Sequence, residues 1–194
     1  MINHIDGKLI EKNPTYAVLE CNGVGYLLHI SLYTFSKIPE SGNAKLLSHL
    51  AIKEDAHTLY GFADESERTL FRHLISVNGV GASTARVMLS SLNPTELQQA
   101  ITSGNANTLQ AIKGIGAKTA LRIIIDLRDK LTKVGPLEDF SLGTDNSVKK
   151  EALSALIALG FQKAAAEKGL DKATKMVAGE MSVELLIKTA LKFL

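Results

Sequence analysis

An α+β chain in three parts is predicted: a small five-stranded β-barrel, a compact all-α domain, and a short helical module on a tether. Three observations predict it. From residue 1 to about 63 the apolar residues fall in short runs rich in β-formers, and from 64 to 134 they recur three and four apart. An aperiodic Gly/Pro/Ser/Asp stretch then precedes a last set of amphipathic segments. The chain has 194 residues, 45% hydrophobic and 22% charged, which excludes disorder and a fibrous repeat. Its single cysteine, Cys21, excludes a disulfide framework and a CxxC zinc site. With no apolar run long enough to span a bilayer and a polar start from Met1 to Lys12, the expected location is the cytoplasm.

The strands are read from IDGKLIE (5–11), YAVLEC (16–21), VGYLLHI (24–30), AKLLSHLAI (44–52) and HTLYGF (57–62). Asn22-Gly23 joins the second to the third, a dipeptide that accepts positive φ at both centres of a tight hairpin. SLYTFSKI (31–38), closed by Pro39, is either a short helix or a long loop. Five strands in about sixty residues must close to hide their edges, so the expected solution is a barrel of the OB type. The helical period then runs through ERTLFRHLISV (67–77), STARVMLSSL (83–92), PTELQQAI (94–101), ANTLQAI (106–112) and KTALRIIIDLRDKL (118–131), with Asn93-Pro94 marking one helix start. Residues 135–147 read as a linker, and 148–194 as three amphipathic helices with a small core. The domains expected are thus 1–63, 64–134 and 148–194.

The formal net charge is only +2, which gives no whole-chain argument for a polyanionic partner. The balance is not uniform. Residues 1–63 hold 5 basic and 6 acidic side chains, 64–134 hold 9 and 6, and 135–194 hold 8 and 8, so the excess sits in the all-α domain.

That domain carries an internal echo. NGVGASTARVML (78–89) and KGIGAKTALRII (113–124) match 35 residues apart, with Gly79, Gly81, Ala82, Thr84 and Ala85 recurring as Gly114, Gly116, Ala117, Thr119 and Ala120. In each copy a helix ends at a glycine that supplies positive φ, and a second helix starts with free amides at the positive end of its dipole. Val80 or Ile115 would plug the turn into the core. Lys113, Lys118, Arg122 and Arg128 surround the second copy, with Lys118 and Arg122 four apart on one helix face. Such a site would hold backbone phosphates without reading bases. Capping turns of an ordinary bundle would show the same glycines, but the in-register repetition of the neighbouring small residues favours a binding motif. Neither copy is a GxGxxG fingerprint or a P-loop, so nucleotide hydrolysis is not expected.

Glu54 and Asp55 stand side by side at the turn between the last two strands. They read as an exposed polar turn; a divalent metal would need a third oxygen ligand that the local sequence does not offer. His4, His29, His49, His57 and His73 are scattered singly, and no nucleophile–base pair is apparent, so no catalytic site, metal or cofactor is expected.

Tandem GVG/GIG turns resemble helix-hairpin-helix DNA-binding motifs, and the order of barrel, paired hairpins, linker and helical module is similar to the RuvA family, the Holliday-junction-recognition subunits of the bacterial RuvAB branch-migration complex. The likeness is carried by CNGVGY (21–26), EDAHTLYGF (54–62), ERTLFRHLISVNGVG (67–81), IKGIGAKTALRIIIDL (112–127) and ALIALGF (155–161). The resemblance implies a homotetramer, or two tetramers facing each other, that binds four-way DNA junctions without sequence preference in recombination and repair. It implies DNA contact through Asn78, Gly79, Val80, Gly81, Ser83 and Thr84 of the first hairpin and Lys113, Gly114, Ile115, Gly116, Lys118, Thr119 and Arg122 of the second. It also makes Glu54 and Asp55 an acidic pin where strands cross, and assigns contact with the motor ATPase RuvB to Leu156, Leu159, Phe161 and Leu191, with the resolvase RuvC as a further partner. The chain departs from the family pattern at Ser83 and Ala117, positions often held by lysine, and in a longer 162–179 region after a shorter linker. The alternatives are a general helix-hairpin-helix DNA-binding module and a non-catalytic part of a structure-specific nuclease.

Overall fold

The computed structural model describes residues 2–134, 146–176 and 182–194. Strands β1 (His4–Asn13), β2 (Tyr16–Cys21), β3 (Val24–His29), β4 (Gly42–Ile52) and β5 (His57–Phe62) form a closed barrel in the order β1-β2-β3-β5-β4. Every pairing is antiparallel except β3 with β5, which closes the barrel through the single parallel pair His29–Tyr60. Alternation along each strand sends Ile5, Leu9, Ala17, Leu19, Leu28, Ala44 and Leu46 inward, where they meet Ile30 and Ile38. Asn22 and Gly23 adopt φ of +50° and +83°, the conformation expected of the tight turn. The ambiguous 31–38 segment is helical: α1 (Leu32–Lys37) is capped by the Ser31 hydroxyl, which accepts from the Thr34 amide at 3.1 Å.

Helices α2 (Glu65–Ile75), α3 (Ala82–Ser91), α4 (Pro94–Thr102), α5 (Ala106–Gln110) and α6 (Ala117–Val134) follow. Asn93 caps α4 in a capping box with Glu96, and Pro94 takes the first turn where its missing N–H costs nothing. These helices do not form a core of their own. Tyr60 and Phe62 of β5 enter it and stack on Phe71 of α2, with ring centroids 5.1 and 4.9 Å apart. Polar ties add to this shared core. The guanidinium of Arg68 donates to both the carbonyl and the side-chain oxygen of Asn3 at 2.8 Å, and Arg86 of α3 donates to the carbonyls of Thr15 (2.8 Å) and Ile30 (3.4 Å). Residues 1–137 accordingly form one compact unit and 138–194 another.

The second unit contains α7 (Asn146–Ala158), α8 (Lys163–Met176), α9 (Val183–Ala190) and a closing 3-10 turn, Leu191–Phe193. Its core is small, made of Ala152, Leu156, Ala166, Leu170, Ala173, Leu186 and Ala190. Of the expected 135–147 linker, residues 135–145 lie outside the described residues and Asn146 and Ser147 already open α7. The region 162–179 is α8 up to Met176, its last three residues lying outside the described ones.

Candidate nucleic-acid interface

The echo in sequence is an echo in hydrogen bonding. In the first hairpin the Val80 amide donates to Val77 O at 3.0 Å and the Ala85 amide to Gly81 O at 2.9 Å; in the second, Ile115 donates to Ile112 O at 3.1 Å and Ala120 to Gly116 O at 2.9 Å. Gly79 and Gly114 have φ of +91° and +92°, but α2 already ends at Ile75 and α5 at Gln110, so the first glycine reverses the chain inside the turn rather than ending the helix as expected. Val80 and Ile115 are buried in the shared core and fix the turn from within.

The second glycines require a different account. Gly81 has φ of −82°, which any residue adopts, and neither Gly81 nor Gly116 would bring a Cβ within 4 Å of another atom. Nothing inside the chain demands a glycine there. What the missing side chain does is leave the backbone open from outside, at the start of α3 and α6. Helices α1, α2, α4, α5 and α9 are each capped by a side chain, whereas α3 has none. The amides of Ala82, Ser83 and Thr84, and of Ala117, Lys118 and Thr119, precede the first intrahelical bond and point outward with the dipole behind them. Asn78, Gly79, Gly81 and Ser83 are exposed, as are Lys113, Gly114, Gly116, Ala117, Lys118 and Arg122; Thr84 and Thr119 are half-buried.

The two hairpins differ in charge. Lys113 and Lys118 flank the second, while the first, from Ser76 to Thr84, has no cation in its turn. Arg86 of α3 is drawn to the barrel instead. Arg122 is exposed, and its Nη1 donates to the carbonyl of Asn78 at 3.1 Å, a bond between hairpins that spacing alone did not reveal.

Glu54 and Asp55 lie at the exposed β4–β5 turn, closed by the Lys53 amide donating to Ala56 O at 2.9 Å. They belong to the same compact unit as both hairpins. Sequence reasoning missed a second acidic group. Glu67 is fully buried between α1 and α2, where its carboxyl accepts from the hydroxyls of Ser31 and Thr34, and burial pushes its pKa up to about 7. Beside it, Asp64 takes the Tyr33 hydroxyl at 2.8 Å and Lys37 at 3.0 Å. Burial alone would raise the Asp64 pKa, but its hydrogen bonds, those from Ser66 and the Glu67 amide foremost, hold it below the ordinary carboxylate value. These groups join barrel to helices, and Lys37 and Asp64 also line a surface pocket with Pro39, Asn43 and Lys45. Among the described residues no three His, Cys, Asp or Glu side chains are grouped to hold a metal.

In the C-terminal unit the four named apolar residues divide. Leu156 is fully buried and belongs to the core, so it has no surface to offer; Phe161 is half-buried, and Leu159 (63% exposed) and Leu191 (42%) face solvent, the latter in the 3-10 turn rather than in α9. Among the described residues no helix is long and apolar enough to cross a membrane.

Comparison with known proteins finds three family models along the chain: RuvA N terminal domain over residues 1–61, SAM-like helix-hairpin-helix tandem over 71–129, and RuvA C-terminal domain over 147–194. The chain is 55% identical over 192 residues to a protein of Christiangramia forsetii, 52% over 192 to one of Flavobacterium psychrophilum and 46% over 200 to one of Bacteroides fragilis. In each case 99% of both chains is covered, and each relative is named Holliday junction branch migration complex subunit RuvA.

Proposed function

Because the chain belongs to the RuvA family, we propose that it binds four-way DNA junctions as a homotetramer, holds them open and square, and presents them to the motor ATPase RuvB for branch migration. The observation that carries this reading is the pair of in-register hairpins whose glycine-opened helix starts lie in one compact unit with an exposed acidic turn. Rows of amides and the Lys113 and Lys118 ammonium groups contact phosphates, which carry no sequence information, so binding is independent of sequence and falls steeply with salt. Glu54 and Asp55 act oppositely. Their charges repel phosphate over about 8 Å at physiological salt, so they separate strands at a crossover and disfavour continuous duplex.

Assembly falls to the outer face of the barrel, where Ile10 and Leu27 are each about half exposed. A second tetramer would close over the other side of the DNA, and RuvC joins in a larger complex. On the C-terminal unit, Leu159, Phe161 and Leu191 form the surface offered to RuvB, supported from inside by Leu156. The chain itself is the non-catalytic subunit.

The test is gel-shift competition between a synthetic four-way junction and linear duplex of equal length, with magnesium present and the products checked for cleavage. Preference for the junction with intact DNA is expected. Equal affinity would reduce the protein to a general DNA-binding module, and nicked strands would make it a nuclease component. Glu54→Lys combined with Asp55→Lys is expected to relax the preference by strengthening duplex binding; unaltered discrimination would remove the pin from the mechanism.

A further inference from the structure

Arg122 is the cation whose position the phosphate-binding picture does not explain. It belongs to α6, the second helix of the second hairpin, yet its guanidinium donates to the carbonyl of Asn78, in the turn of the first hairpin and 44 residues earlier. Asn78 immediately precedes Gly79, the residue at which that turn takes a positive φ and reverses direction. The internal echo offers no return bond. Position 87 of α3 corresponds to 122 of α6, and Val87 has no donor with which to reach Lys113. The neighbouring Arg86 is already committed to Thr15 and Ile30 of the barrel. Among the described residues the hydrogen bonding between hairpins is therefore one-sided, from α6 to the first turn.

We propose that Arg122 is a positioning residue: it fastens the first hairpin's turn to the second hairpin, so that the two rows of amides meet the DNA backbone at a set separation. This rests on the reading of the hairpins as the DNA contacts. The need for a fastening is physical. A turn with glycines at 79 and 81 has the widest conformational freedom a chain can have; from inside it is held by the buried Val77 and Val80 and by the Val80 amide bond to Val77 O. Between those two anchors the glycine-flanked Asn78 carbonyl is exposed, and the bond from Arg122 fixes it from the second hairpin. Because the donor is charged, the bond is stronger than one between neutral groups. The turn held in this way is also the one without a cation of its own, so amide geometry is most of what it has to offer a phosphate.

The experiment has a DNA-free arm and a DNA-bound arm, both on the full-length protein. In amide NMR of the free protein, Arg122→Ala is expected to shift and broaden the signals of Asn78, Gly79 and Val80 while those of the remote barrel turn at Asn22-Gly23 stay in place; unmoved hairpin signals overturn the proposal. With a synthetic four-way junction, Arg122→Ala is expected to weaken binding about tenfold, the scale of one hydrogen bond to a charged group. The slope of log affinity against log salt stays at the wild-type value, whereas Lys118→Ala lowers it by about 0.9 for each phosphate no longer neutralised. A slope lowered by Arg122→Ala as by Lys118→Ala would make Arg122 a direct phosphate ligand and overturn the positioning role. In a Gly81→Val background, where the first hairpin is already blocked, Arg122→Ala is expected to cost nothing more, and full additivity is the contrary result. Failure of the wild-type protein to bind the junction would instead sink the functional reading, and the free-protein spectra would still decide the clasp.

Discussion

At the scale of single residues, the paired glycines of each hairpin have separable roles, and the separation can be measured. Gly114 holds a φ of +92°, so Gly114→Ala is expected to cost about 1 kcal/mol of stability as well as affinity. Gly116 has open space around its missing Cβ, so Gly116→Ala should leave the melting temperature within about 3 °C of wild type and still weaken junction binding. Loss of stability in both variants, by calorimetry, would contradict the division. Glu67 offers a second residue-scale prediction. Burial raises its folded-state pKa to about 7 from an ordinary value near 4.5, so the folded protein keeps a proton that the unfolded chain releases. Its contribution is complete below about pH 4.5 and is lost as pH rises to about 7, on the order of 3 kcal/mol over that window. His29, His49 and His73, lowered chiefly by burial, act in the opposite sense: stability is present above their ordinary value and lost as pH falls through their folded-state values. The difference between wild type and Glu67→Gln isolates the carboxyl. Relative to the variant, the wild type is expected to lose stability between pH 5 and pH 7 in thermal melts; parallel curves would show the group to be ionised throughout.

At the scale of elements, local pattern was a sufficient guide. Five runs of β-formers became five strands, and the periodic segments became α2 to α6 with ends displaced by at most three residues, because alternation, capping and turn chemistry are written in neighbouring positions. Side-chain destinations were not written there. Arg86 and Arg122 lie on exposed-looking helix faces in sequence, and only the packing of α3 on the barrel and of α6 beside the first turn shows that each is tied to a distant carbonyl. Glu67 likewise reads as an ordinary first-turn helix acid until α1 covers it. Leu156 is a surface candidate only through the family resemblance; its apolar character in so small a module reads as core, and it packs there with Ala152 and Leu186. The barrel surface is where an element-scale prediction belongs. Leu27 pairs with Val18 on the outside of β2–β3, so Leu27→Asp should leave the fold intact and break the proposed tetramer. Light scattering should then return a mass near 20.9 kDa rather than four times that; a persistent tetramer would place the subunit contact elsewhere.

For the whole molecule, the near-zero net charge of the sequence conceals an arrangement by region: a slightly acidic barrel, a basic hairpin domain and a neutral C-terminal unit. The two compact units have separate cores, so removing residues 138–194 should spare the first. A chain ending at residue 137 is expected to bind the four-way junction with wild-type affinity and to fail to stimulate RuvB ATPase activity; weakened junction binding by the shortened protein would show that the C-terminal unit takes part in holding DNA. Within the first unit the relation is reversed. Tyr60 and Phe62 meet Phe71 in a core common to barrel and helices, and the acidic turn grows from the same strand that carries both rings. The acidic turn and the hairpins, proposed to repel and to grip the backbone, are thereby parts of one compact unit with a shared core. On that proposal compliance falls to the nucleic acid: a branch point, already unstacked at its centre, conforms at little elastic cost, whereas unbroken duplex must bend or part its strands to match the same template.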